Sequence, residues 1–431
     1  MRPLLPILLA GLLCACSGRN SEGQSQNAPG PTAAAATAAS GDAAPEETDP
    51  PNAKGQHPAF PGQTRAPALV ATTAFEVQTV AKGLDHPWGE AFLPDGRLLV
   101  TERAGRMRIM ARTGALSPPA AGVPRVVTGE QAGLFDLALD PQFASNRLVY
   151  FAYMEPRGRG SGLSVARAKL SEDAGKPALT ELKVIFRAQP AMSSLANIGG
   201  RVVFGSDGTL FVTVGDRFVA EGQRDAQKLD NDLGKVIRIN PDGSMPKDNP
   251  FVGKAGARPE IWSYGHRNPE SAAINPWTHE LWTVEHGPRG GDEVNIPQAG
   301  RNYGWPVITY GEDYSGQPVG RGITAQAGME QPIYYWDPVI APSGMAFYDA
   351  DLFPAWKDSL FVGGLASTHL ARLTLSGDRV AGEQWLLQDL GLRIRDVIVG
   401  PDGALWLLTD ESDGKVLRVG PKSSGGPGAG L

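Results

Sequence analysis

One turn recurs along this chain and limits what it can fold into. Leu93-Pro94-Asp95-Gly96 leads into residues 97–101. Gly205-Ser206-Asp207-Gly208 leads into residues 209–213, and Gly400-Pro401-Asp402-Gly403 into residues 404–409. Each time an apolar stretch precedes the turn and an alternating stretch follows it. Asp-Gly between alternating segments marks a β-hairpin, because the glycine accepts the positive φ of the turn. Degenerate copies are Asp140-Pro141-Gln142-Phe143 before residues 148–153, and Asn275-Pro276-Trp277 before residues 281–284. Short antiparallel sheets repeated at spacings of tens of residues make a β-propeller, and wide, uneven spacing means long loops. A β-sandwich array is the alternative, but it gives no reason for the recurring hairpin. Helical periodicity is nearly absent.

The 431 residues suffice for one large all-β domain or two ordinary ones. A hydrophobic content of 41% predicts a packed core, and the 54 glycines and 36 prolines suit a turn-rich β protein. A net charge of −6 argues against nucleic acid as a partner.

The two cysteines, Cys14 and Cys16, both lie near the N-terminus. Arg2 precedes an apolar run over residues 4–13 that is too short to span a bilayer. Leu13-Cys14-Ala15-Cys16 resembles a bacterial lipobox, with cleavage before Cys16 and lipid on its thiol; an ordinary secretory signal is the alternative. Residues 1–15 then read as a signal peptide. Residues 16–70 read as a lipidated, disordered tether rich in Ala, Pro and Gly, with almost no large apolar side chains to bury. Residues 71–421 are the propeller and 422–431 a flexible tail. The expected location is the bacterial cell envelope, anchored to a membrane through Cys16 and facing the periplasm. No thiol chemistry remains for the mature domain.

The densest chemistry lies between residues 260 and 310. Gly265-His266-Arg267-Asn268-Pro269 ends an apolar run. Glu285-His286-Gly287-Pro288-Arg289-Gly290-Gly291-Asp292-Glu293 follows a strand-like stretch, and Arg301-Asn302-Tyr303-Gly304-Trp305-Pro306 comes next. Two carboxylates after three glycines and a proline offer the hard oxygen ligands and exposed carbonyls that Ca²⁺ takes. Zinc is not expected, because no Cys/His pair at ligand spacing lies here. Read alone, the stretch is better taken as a Gly/Pro-rich surface turn with solvated acids.

These three motifs, in this order, resemble the soluble PQQ-dependent aldose sugar dehydrogenases, the glucose/sorbosone dehydrogenase group. The resemblance runs over most of the chain, about residues 75–421. It implies a six-bladed propeller, and a count of the repeated segments agrees with six. The strand at residues 75–80 would then pair with the last hairpin and close the ring. It also implies PQQ and Ca²⁺ as cofactors, aldose sugars as substrates oxidised at C1 to the lactone, and an external electron acceptor. Carried over residue by residue, Gln131 falls near the sugar, and Arg267 and Asn268 match the pair that reads the quinone oxygens. Arg393 and Arg395 match arginines for the PQQ carboxylates, and they alternate along a strand, so they face one side. Gly287 and Pro288 match backbone ligands of the active-site Ca²⁺; Glu293 and Tyr303 match a second calcium site.

Two positions depart from the family pattern. The catalytic histidine is expected in a His-x-Gly-Gly-Arg run, which here reads Asn197-Ile198-Gly199-Gly200-Arg201. No histidine lies between His86 and His266, and an asparagine has no group that accepts a proton near neutrality. A lysine expected to contact PQQ is Ala366. Asp216 matches the acid that orients the histidine; it is a candidate base itself, directly or through water, with a salt bridge to Arg217 as the alternative. Three readings stay open: a PQQ sugar dehydrogenase, a catalytically weak or inactive propeller that binds sugar or a protein partner, and a metal-dependent hydrolase such as a lactonase.

Overall fold

The computed structural model describes residues 43–70 and 73–422. Residues 1–42, with the expected signal peptide, Cys14 and Cys16, and the tail from residue 423 lie outside the described residues.

The described chain forms six antiparallel sheets, one after another along the sequence. Blade 1 is Pro87–Phe92, Leu98–Glu102 and Arg106–Met110; blade 2 is Leu134–Leu139, Leu148–Arg157, Gly160–Asp173 and Lys176–Arg187. Blade 3 is Gly199–Phe204, Leu210–Val214, Lys235–Ile239 and Ile261–Tyr264. Blade 4 is Pro269–Ile274, Leu281–Glu285, Asp292–Asn295 and Tyr334–Trp336. Blade 5 is Pro342–Tyr348, Ser359–Gly364, Leu370–Ser376 and Arg379–Leu386. Blade 6 is Ile394–Val399, Leu405–Thr409 and Gly414–Pro421, completed by Phe75–Leu84 from the start of the domain. That last pairing, with Phe75 opposite Pro421 and Val77 opposite Val419, is the expected closure and leaves no sheet edge open at the seam. Blade 1 has three strands. Its fourth place is taken by irregular chain, where the Ser117 and Ala120 amides donate to the Ile109 and Met107 carbonyls.

The recurring turn is one structure used three times. The Leu93, Gly205 and Gly400 amides donate to the Arg97, Thr209 and Ala404 carbonyls, closing three-residue loops. Gly96, Gly208 and Gly403 stand at φ 81°, 78° and 76°, where a side chain would be strained. Each loop joins the innermost strand of its blade to the second.

Alternating side chains bury one face of each sheet against the next blade. Leu99, Met107 and Ile109 of blade 1 meet Leu137, Val149 and Phe151 of blade 2. Tyr348, Phe361 and Leu370 of blade 5 meet Leu405, Leu407 and Val419 of blade 6. In all six blades the register between the innermost two strands breaks near the start of the first. Such irregularities re-aim side chains, and here they do so at one end of the ring.

One expectation is corrected. Residues 43–70, assigned by composition to a disordered tether, are folded onto blades 4 and 5. Ala68 bridges Glu383 in parallel, with Leu69 N–H donating to the Glu383 carbonyl at 2.8 Å and Glu383 N–H to that of Pro67 at 3.0 Å. The Asp337 carboxylate accepts the Asn52 and Ala53 amides, and the Arg65 guanidinium reaches the carbonyls of Glu47, Asp49 and Asp337. Gln63 is fully buried between Tyr310 and the Pro332 carbonyl. Hydrogen bonds, rather than large apolar side chains, hold this arm, so hydrophobic patterning does not reveal it.

Candidate active site

The innermost strands all begin at the end of the ring opposite the Asp-Gly turns, and the chemistry-bearing residues gather there. A cavity of about 150 Å³ opens between them. Gln131, Arg393 and Arg395 line it, with Trp88, Glu270 and His286. A second, smaller hollow shares His286 and is lined by Arg267, Gly287, Glu293 and Tyr303. Pro288 is buried but lines neither.

Arg393 and Arg395 do face one side, as their alternation predicts. Their guanidinium groups reach the same oxygen of Asp410, at 3.1 and 3.0 Å. Arg395 also donates to Glu270 at 2.9 Å, and His86 holds the other Asp410 oxygen at 2.9 Å. Burial pushes the Asp410 carboxyl upward, but the Arg395 charge, the His86 hydrogen bond and the Arg103 charge outweigh it and hold it well below the usual range. Asp410, His86, Glu270 and Arg103 carry no motif of their own; only the fold brings them together.

Asn197 occupies the start of blade 3, buried and in the left-handed region at φ 47°, which asparagine tolerates. Gly199, two residues on, also has positive φ, and a side chain there would meet the Thr213 carbonyl at 2.6 Å. The Asn197 amide N–H donates to Gln131 Oε1 at 2.6 Å, so these two predicted residues touch. Its side-chain Nδ2 donates to Asp216 at 2.9 Å. Asp216 is completely buried and accepts two further hydrogen bonds, from Phe218 N–H at 2.8 Å and Trp305 Nε1 at 2.7 Å. Burial raises its pKa, and the Arg267 charge opposes that.

The salt bridge from Asp216 to Arg217 is absent: the Arg217 guanidinium turns to the carbonyls of Ser161 and Ser194. Nor can Asp216 meet a substrate directly. It is sealed behind Asn197, with three neutral donors on its oxygens.

Asn268 is fully buried between blades. Its Oδ1 accepts Gly199 N–H and its Nδ2 donates to Glu270, both at 2.9 Å. Arg267 lies over the rings of Trp305 and Phe218 and donates to the His286 carbonyl at 3.1 Å. Its Nε is buried without a hydrogen-bond partner, and so is that of Arg395.

In the acidic loop, Glu285 and Glu293 share the Asn295 amide, at 2.8 and 3.0 Å. Burial, then the Glu285 charge, drives the Glu293 pKa well above the carboxylate range. His266 ties down Glu285 at 3.0 Å and stacks on Tyr303 at 4.7 Å between ring centres. Asp292 is spent on the Gly287 and Ala341 amides, so it is no free ligand. The Tyr303 hydroxyl is likewise committed, to the Ile296 carbonyl and the Gln298 amide, which leaves its carbonyl oxygen to offer. Among the described residues, no hydrogen bond reaches the carbonyl oxygens of Gly287, Pro288 or Tyr303. No three His, Cys, Asp or Glu side chains converge on one point there, so any cation would rest partly on backbone oxygens. Ala366 is exposed beside the cavity wall, without a charge to contribute.

The model of the Glucose / Sorbosone dehydrogenase family matches residues 84–418. The aldose sugar dehydrogenase YliI of Escherichia coli (strain K12) is 46% identical over 363 residues, covering 83% of this chain and 95% of its own. A crystal structure of a glucose dehydrogenase, 49% identical, superposes with a TM-score of 0.77 over 80% of this chain and 100% of its own. The PQQ-bound form of an aldose sugar dehydrogenase from Streptomyces coelicolor, 28% identical, superposes at 0.67 over 81% of this chain and 99% of its own. The chain therefore belongs to the glucose/sorbosone dehydrogenase family.

Proposed function

We propose that this protein oxidises aldose sugars at C1 to the lactone with PQQ and Ca²⁺, passing electrons to an external acceptor, and that Asn197 makes its turnover slow. The observation that carries the cofactor reading is the mouth cavity, with its three guanidinium groups. Arg103, Arg393 and Arg395 sit on its wall, and Arg267 lines the adjoining hollow. That donor set fits a planar group bearing three carboxylates and two quinone oxygens. Gly287 and Pro288, with free carbonyls, would hold the active-site Ca²⁺; Glu293 and the Tyr303 carbonyl would hold a second.

PQQ, when bound, supplies the two-electron acceptor; the rest falls to the chain. Gln131, on the cavity wall, accepts the amide N–H of the buried Asn197, and the two would orient the sugar hydroxyl. Asp216 fixes the Asn197 amide, so that its Oδ1 can accept a hydrogen bond from that hydroxyl. Asn197 positions the proton but cannot take it. That substitution favours the second reading, a weak or inactive propeller that binds sugar or a protein partner. Lipid anchoring at Cys16, facing the periplasm, completes the proposal.

The test is titration of the purified protein with PQQ and Ca²⁺, then an artificial-acceptor assay with aldoses. Saturable PQQ binding with slow oxidation is expected. Failure to bind PQQ refutes the cofactor assignment, and binding without turnover favours the second reading.

A further inference from the structure

One guanidinium in the mouth cavity meets no hydrogen-bond or ion-pair partner among the described residues. Arg393 and Arg395 share Asp410, and Arg395 also holds Glu270. Arg103, the third guanidinium on the same wall, makes neither a hydrogen bond nor an ion pair among the described residues. It influences Asp410 only through charge at longer range. Its neighbour Glu102 cannot serve it, because that carboxylate is taken by Arg106, Arg108 and the Asp85 amide.

The base of Arg103 is fixed while its head is not. Its N–H donates to the His86 carbonyl at 2.9 Å, and its carbonyl accepts Leu134 N–H at 3.2 Å. Gly133 packs directly on it: a side chain there would meet the Arg103 carbonyl and Cγ at 2.3 Å. The fold therefore leads a half-buried arginine stem into the cavity and leaves the fork empty. A guanidinium with no partner at the edge of a cavity is poised for a carboxylate, which it can bind through two parallel bonds.

We propose that Arg103 binds a carboxylate of the PQQ cofactor, a contact that rests on the cofactor reading above. Asp410 and Glu270 partly neutralise Arg393 and Arg395. Arg103 thus carries the excess positive charge that selects a polyanionic ligand.

The test is equilibrium titration of the full chain with PQQ in Ca²⁺, followed by quenching of tryptophan fluorescence, with Trp88 in the cavity wall. Wild type, Arg103→Gln, Arg103→Lys and Arg393→Ala are compared, each after its melting curve without PQQ. Arg103→Gln should weaken PQQ binding by about tenfold or more, the loss expected for one charge-assisted bond. Arg103→Lys should weaken it less, and wild-type affinity should fall more steeply with salt than that of Arg103→Gln. PQQ trimethyl ester should bind wild type and Arg103→Gln alike. If Arg103→Gln binds PQQ as wild type does while Arg393→Ala does not, the Arg103 assignment falls and the cofactor reading survives. Equal losses of PQQ and its triester in Arg103→Gln also overturn it, because the side chain would then act by shape. If PQQ saturates none of the proteins, both fall.

Discussion

If the proposed function holds, Asn197 sets how fast this protein works. General-base assistance contributes about 10²–10⁴-fold in rate, and an amide supplies none. The surroundings of a base are nevertheless intact: Asp216, buried and raised in pKa, waits 2.9 Å from the side chain at this position. Histidine tolerates the left-handed backbone there as asparagine does. Asn197→His should therefore raise turnover of the PQQ-loaded protein by an order of magnitude or more. It should also introduce a pH dependence near the imidazole pKa of about 6.5. Rate against pH for both proteins is the measurement; a wild type already as fast as Asn197→His would place the base elsewhere. At this scale the sequence pointed to residues that the fold gathers at one end of the ring where a motif names them, as for Arg267 and Arg395. It was silent on Arg103 and Asp410, which come to one cavity only when blade 6 closes beside blade 1.

Two elements make separate contributions to stability. The loop from Gly287 to Glu293 sets the Glu293 carboxylate against the buried Glu285, the two sharing the Asn295 amide. A cation there would relieve their repulsion, and a ligand that binds only the folded state stabilises by mass action. Ca²⁺ should raise the thermal midpoint and Glu293→Ala should shrink that gain; equal midpoints with Ca²⁺ and with chelator would remove calcium from the site. The arm at residues 43–70 covers Tyr334 and Glu383, a buried carboxylate held by Tyr334, Trp336 and Trp385. Deleting residues 43–70 should lower the midpoint by a few degrees, because Ala66 and Gln63 leave buried positions and Tyr334 loses its bond to the Ala66 amide. An unchanged melt would make the arm a passenger. The hairpins were readable because a three-residue loop demands glycine at one place. The arm was not, because backbone hydrogen bonds leave no periodic trace in the sequence.

The ring as a whole creates an environment that no single blade contains. The innermost strands of blades 1, 2, 3 and 6 bring Glu90, Asp136, Arg201 and Asp396 together in the interior, all buried. Arg201 lies over the Trp88 ring and binds Asp136 at 3.1 Å and Asp396 at 3.0 Å. One guanidinium thus faces three acids, and both oxygens of Glu90 lack any hydrogen-bond partner among the described residues. Burial first, and then the Asp396 charge, pushes the Glu90 pKa well up against the pull of Arg201. Asp136 and Asp396 are raised by burial as well. An acid raised in the folded state binds more protons folded than unfolded, so stability falls as pH rises. The contribution is full below the unfolded carboxyl pKa of about 4.3 and is lost as pH climbs toward the raised folded value. Glu90→Gln removes that titration. Relative to wild type, Glu90→Gln should therefore gain stability with rising pH, by about 1–3 kcal/mol at pH 8, the cost of an unsatisfied buried group. Urea midpoints at pH 5 and pH 8 measure it. A difference between the two proteins that is the same at both pH values would mean that Glu90 does not titrate in this range.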